Sequence, residues 1–256
     1  MKNINWTREE TILAFNLYCK IPYGTFHNRN PKIIELAKLI GRTPNSLALK
    51  LSNFASFDPY HKARGIRGMQ NTSKLDKIIW DEFTNNWDDM IFESEKVLAT
   101  KEKTTVEKKY AIKPEDFTDK KGESRPAEIK VRVNQDFFRK VILSIYNYKC
   151  AISGIDIPDL LIASHIIPWA VNEKERLNPH NGICLSPLYD RCFDRGYISI
   201  TPDYKLTLSK DLKANLQKDY FIRHFGEYEN SKINLPDKFL PQPDFLEYHY
   251  KNVFKK

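Results

Sequence analysis

Residues 150–196 read CAISGIDIPDLLIASHIIPWAVNEKERLNPHNGICLSPLYDRCFDRG, and the alternation of apolar and polar runs within them sets the expected fold of the carboxy-terminal half. A short β-branched run ends at Ser164-His165, a polar loop follows, and Asn181 opens a second apolar run, ICL. A helix is predicted to begin near Pro187 and to carry Asp190 and Asp194, four residues apart and so on one side of it. The predicted order is strand, loop, strand, helix. An antiparallel hairpin packed on one helix leaves a groove able to hold a histidine and a single divalent cation.

Working outward, the spacing predicts a helix over NQDFFRKVILSIY, immediately before this stretch. Upstream of it, residues 101–126 are rich in charge and poor in large apolar side chains, which reads as an exposed linker. The amino-terminal third is predicted helical. Thr7-Arg8-Glu9-Glu10 is a capping box ahead of a helix running to about Lys20. Helical spacing from Pro31 to Ile40 stops at Gly41, and Thr43-Pro44 restarts a helix to about Ser56. Ser73 caps a longer one with Leu75, Ile78, Ile79, Phe83 and Trp87 on one side, expected to continue to Leu98.

Charge separates the two halves. Residues 1–79 hold 13 Lys and Arg against 5 Asp and Glu, while residues 80–256 hold 28 of each sign, so the whole excess of +8 lies in the first third. A localised positive field suits a polyanion, because each neutralised phosphate releases counterions. The helix pair around Gly41 is a helix-turn-helix candidate. Its second member offers Asn45, Lys50 and Asn53 to a groove, and the following HKARGIRG offers Lys62, Arg64 and Arg67 to phosphates. An ordinary helical hairpin and a solvated basic loop are the plain alternatives.

Cys19, Cys150, Cys184 and Cys192 show no CxxC spacing, so free thiols are expected and a structural zinc is not. The amino terminus lacks the apolar run of a signal peptide, and no stretch approaches the roughly 20 apolar residues that span a bilayer. A cytoplasmic protein with no membrane contact is expected.

Four words of the quoted region, CAISG at 150–154, ASHIIPW at 163–169, NGICLSP at 181–187 and FDRGYI at 193–198, occur in the order and at the spacing of the HNH endonucleases. The stretch resembles the restriction-type branch of that family, and the resemblance extends over roughly Val131 to Phe254. It implies the ββα-metal fold, hydrolysis of a DNA phosphodiester, and 5′-phosphate and 3′-hydroxyl products. By position it places His165 on the general base, Asn181 on the residue that orients the histidine and supports the loop, and Asp190 on a metal-binding position. Ser164 departs from the Asp or His that many such enzymes keep before the base, and a neutral hydroxyl is a poor ligand. Asp194 is a second candidate ligand, with Arg191 and Arg195 on the same helix as phosphate clamps.

The expected class is therefore α+β: a helical, helix-turn-helix-like domain over 1–99, a linker over 100–127, and a ββα-metal nuclease domain over 128–256. One Mg²⁺ or Mn²⁺ per site and a homodimer on DNA are implied, in a restriction or phage-defence enzyme for which modified bases are candidate targets. A nonspecific or RNA-directed nuclease, and a DNA-binding repressor with an inactive nuclease domain, are the competing readings.

Overall fold

The computed structural model describes residues 5–65, 72–113 and 124–256. The chain divides into two compact units, Met1–Val141 and Ile142–Lys256.

In the first unit, α1 (Arg8–Lys20) is the central element. Every residue from Thr11 to Cys19 is buried, so the helix is enclosed all round rather than along one stripe. It packs against α3 (Pro44–Ala55), α5 (Lys74–Asn85) and α6 (Trp87–Lys101). Phe15 is the hub of the core, with the rings of Phe83 and Phe54 at 4.4 and 5.0 Å. Local capping sets the helix starts. Thr7 and Glu10 form the reciprocal box, Asn30 caps α2 (Pro31–Leu39), and Thr43 caps α3 with Pro44 at its first position. Gly41, at φ +71°, turns the chain between α2 and α3 in the left-handed conformation that glycine tolerates best.

Four expectations are corrected here. The helix predicted from Ser73 to Leu98 breaks at Asn86, whose non-helical backbone (φ −150°, ψ 73°) ends α5 while its side chain accepts from Asp89 N to start α6. Apolar spacing continues across the break, which is why periodicity alone misses it. HKARGIRG is not all loop, since Lys62 lies in α4 (Pro59–Ala63) and Arg64 at its end, while Arg67 lies outside the described residues. Within 100–113, α7 (Val106–Lys109) follows α6, and Val106 packs in a small core with Ala99, Ile129 and Val133, flanked by Phe92, Tyr110 and Ile112. Those residues are packed rather than exposed. The helix expected over 134–146 begins earlier, as α8 (Ser124–Ile145), and the division between the units falls within it.

The second unit has the predicted strand, loop, strand, helix order. Strand β1 (Ile162–His165) pairs antiparallel with β2 (Gly182–Leu185), setting Ser164 opposite Ile183 and His165 opposite Gly182. Helix α9 (Pro187–Asp194) packs on both strands. A second hairpin, β3 (Ile198–Ile200) with β4 (Leu206–Leu208), lies against α9 and α12 (Pro243–Asn252). Short helices α10 (Lys210–Lys213) and α11 (Asp219–His224) connect them.

The chain's end clamps the end of α9. His249 stacks face to face on Phe193 at 3.7 Å, donates from Nε2 to the Phe193 carbonyl at 3.1 Å, and meets Ser199 Oγ at Nδ1 at 2.9 Å. Gly196 follows at φ +71°, and a Cβ there would lie 2.1 Å from the Val253 carbonyl oxygen. Only glycine admits that approach.

Candidate active site on the hairpin and its helix

His165 is the last residue of β1 and is half-buried. Its Nε2 lies 2.8 Å from the carbonyl oxygen of Arg176. A carbonyl only accepts, so Nε2 carries the proton and, in the neutral ring, Nδ1 carries the lone pair. The edge of the ring meets Trp169 at 5.5 Å. Burial pushes the imidazole below the ordinary histidine range, and the Arg176 carbonyl and the Asp190 carboxylate on α9 oppose that without reversing it. A neutral imidazole with one fixed nitrogen can take a proton at the other.

The loop between the strands fixes that arrangement. Asn181 is fully buried, and its Oδ1 accepts from Ile167 N at 2.8 Å. Its Nδ2 donates to the carbonyls of Ile167 at 3.2 Å and Glu175 at 3.0 Å. Those bonds tie together the two ends of the loop, and the carbonyl after Glu175 is the one that holds His165. Asn181 thus acts on the histidine through the loop backbone. Arg176 adds a second tie: its Nε donates to the Trp169 carbonyl at 2.6 Å and its guanidinium lies 5.1 Å from the Trp169 ring. Arg176 was not evident in the sequence, because the group that meets His165 is a main-chain oxygen that any residue could supply.

Asp190 is half-buried on α9, and Asp194, one turn on, is exposed with Arg191 and Arg195. Desolvation, and then the Asp190 charge, push the Asp194 carboxyl above its usual range against the pull of Arg191 and Arg195. A carboxyl whose proton affinity is raised by a neighbouring negative charge also favours a cation beside it. Neither arginine forms an ion pair among the described residues. Ser164 is buried, and its Oγ has no hydrogen-bond partner among the described residues.

Among the described residues, no group of three or more His, Cys, Asp or Glu side chains closes around a metal position. The donors present fit a hard, hydrated ion better than a caged one, because Mg²⁺ commonly keeps several waters and takes only one or two carboxylates plus phosphate oxygens. The oxygen donors in this region that such an ion would take are the Asp190 and Asp194 carboxylates and the Ser164 hydroxyl.

The amino-terminal candidates are not equivalent. Asn45, Lys62 and Arg64 are exposed. Lys50 is only 5% exposed, its ammonium 2.5 Å from Asp76 and 4.6 Å from the Trp6 ring, and Asn53 donates to the same carboxylate at 3.2 Å. Lys50 is therefore corrected from a groove-reading residue to an internal one, and Asn53 is turned inward with it. Cys150, Cys184 and Cys19 are buried cysteines and Cys192 a half-buried one. Cys150 Sγ accepts from Ser186 N at 3.3 Å, just ahead of α9. No helix is long and apolar enough to cross a membrane among the described residues.

Residues 150–201 match a family model described as HNH endonuclease. That span contains both strands of the first hairpin, the loop, α9 and β3, and it supports an HNH domain and nuclease activity in general, with DNA as the implied substrate class and a divalent metal as the usual requirement. A search of curated proteins found no match.

Proposed function

We propose that the chain is a metal-dependent endonuclease that hydrolyses DNA phosphodiesters, with His165 as the general base, and that it serves in restriction or phage defence. The observation that carries the reading is the state of His165. It is a half-buried imidazole with Nε2 anchored on the Arg176 carbonyl, placed at a strand end where burial disfavours its charged form against the pull of Asp190.

In this reading Nδ1 of His165 takes the proton from the attacking water. Asn181 and Arg176 hold the loop so that the ring keeps its angle. Asp190, with Asp194 and Ser164, would hold the ion. When bound, Mg²⁺ or Mn²⁺ would stabilise the charge that builds on the phosphate and the leaving oxygen. Arg191 and Arg195 would grip neighbouring phosphates, and exposed Asn45, Lys62 and Arg64 would contact the duplex from the first unit. Two copies would cut both strands, since one such site serves one strand at a time.

The test is incubation of purified protein with plasmid, phage, methylated and unmethylated DNA, with and without Mg²⁺ or Mn²⁺. Discrete fragments from the wild type, lost in His165→Ala with DNA binding retained, are the expected result. A smear would assign nonspecific cutting. A band shift without cleavage, or equal nicking by His165→Ala, would remove the assignment.

A further inference from the structure

A pocket of about 860 Å³ opens in the amino-terminal unit, remote in sequence from the hydrolytic residues. That volume lies within the range of small-molecule sites. Leu13, Leu17, Leu36, Leu39 and Leu98 give it an aliphatic lining. Of its 15 lining residues, seven are lysines and two are glutamates, so it carries a strong positive bias.

The lysines fall into two sets. Lys20 is held by the fully buried Glu95, and Lys101, Lys109 and Lys140 pair with Glu9, Glu102 and Asp136. Lys32, Lys38 and Lys103 are exposed and form no ion pair among the described residues. Unpaired ammonium groups around an apolar lining are complementary to a ligand with a flat apolar body and an anionic end. Asn16 supplies a third, directional element. Its Nδ2 donates to Ser94 Oγ and Glu95 Oε1, both at 2.7 Å, which orients the amide and leaves Oδ1 as the acceptor it can offer a ligand N–H.

We propose that this pocket binds a nucleoside phosphate, with the base against the leucines, its exocyclic amine toward Asn16 Oδ1, and the phosphates on Lys32, Lys38 and Lys103. The same chemistry is presented by a free nucleotide and by a nucleotide turned out of a DNA strand, where the energy of unstacking would be offset by burial of the base.

The test uses the full chain in buffer without divalent metal, so that no cleavage occurs and the result does not depend on the hydrolytic reading. Calorimetric titration with ATP reports the free nucleotide, tripolyphosphate controls for charge alone, and fluorescence of a duplex carrying one 2-aminopurine reports eversion. We expect a saturable response to ATP or a rise in 2-aminopurine emission. It should weaken about tenfold or more in the triple variant Lys32→Ala, Lys38→Ala, Lys103→Ala, the order expected for loss of charge-assisted bonds. Leu39→Trp, which fills the pocket from a half-buried position, should weaken it comparably. A response to ATP alone assigns the free nucleotide, and 2-aminopurine brightening alone assigns the everted one. Silence in both arms, responses unchanged in the triple variant, or tripolyphosphate binding as tightly as ATP would overturn the proposal.

Discussion

His165 Nε2 and the carbonyl oxygen of Arg176 lie 2.8 Å apart, a bond that sets the tautomer of the ring and helps fix its angle. Because burial lowers the proton affinity of the imidazole, the proposed base stays unprotonated further into acid than an ordinary histidine would. Cleavage should therefore be flat at neutral pH and fall only as pH drops through a midpoint below about 6.5, the unperturbed value. Initial nicking rates between pH 4.5 and 8 with saturating metal measure this directly. An acid limb centred above 7 would contradict the geometry.

Asn181 makes three bonds to loop backbone from a fully buried position. Asn181→Ala leaves the Ile167 amide and the Ile167 and Glu175 carbonyls short of partners, at roughly 1–3 kcal/mol for each group left unsatisfied. Urea denaturation should show a loss of about 3 kcal/mol. Cleavage should drop by on the order of 10²-fold, because the carbonyl that positions His165 is displaced. Full activity in a folded Asn181→Ala protein would separate the loop from the histidine and refute the coupling.

What the sequence made legible, and what it did not, follows the range of the interactions involved. Thr7, Thr43 and Ser73 cap helices through bonds three residues away, so they can be read from short words. The β1, β2 and α9 order is likewise local, with the turn chemistry and the ASHIIPW and NGICLSP words marking the ends. Lys50 was misplaced because its partner, Asp76, is 26 residues on and belongs to another helix. His249 showed no pattern in the sequence, although the structure uses it to hold Phe193 and Ser199, because all its partners are at least 50 residues away. In the candidate site, residue types with ionisable side chains were visible and the main-chain acceptor at Arg176 was not.

The Lys50–Asp76 pair converts that correction into a measurable difference. Both groups are buried, and Asp76 also accepts from Ser73 Oγ at 2.9 Å and from Asn53. Lys50→Ala would strand a buried carboxylate, so stability should fall by about 3–5 kcal/mol. Lys62→Ala and Arg64→Ala remove exposed charges and should leave stability within about 0.5 kcal/mol. If either contacts a phosphate, the slope of log affinity against log salt for duplex DNA should shrink by about 1. Chemical denaturation beside fluorescence anisotropy separates the two classes. A Lys50→Ala protein of unchanged stability and weakened DNA binding would restore Lys50 to the surface.

His249 should make the second unit sensitive to acid. Burial holds its imidazole down to about 4, although the Phe193 carbonyl pulls the other way, so the folded state takes up this proton less readily than the unfolded chain does. Above about 6.5 neither state is protonated at this site and no penalty exists. As pH falls from there to about 4 the unfolded state gains protons first, and stability should decline by about 3 kcal/mol, less whatever residual solvent contact and relaxation relieve. Below about 4 both states are charged and the contribution levels off. His249→Gln removes the titrating group, and despite a lower stability at pH 7 it should show a shallower decline across that window. The measurement is the urea midpoint at pH 7.5, 6, 5 and 4.5 for both proteins, and parallel curves would show that the acid sensitivity arises elsewhere.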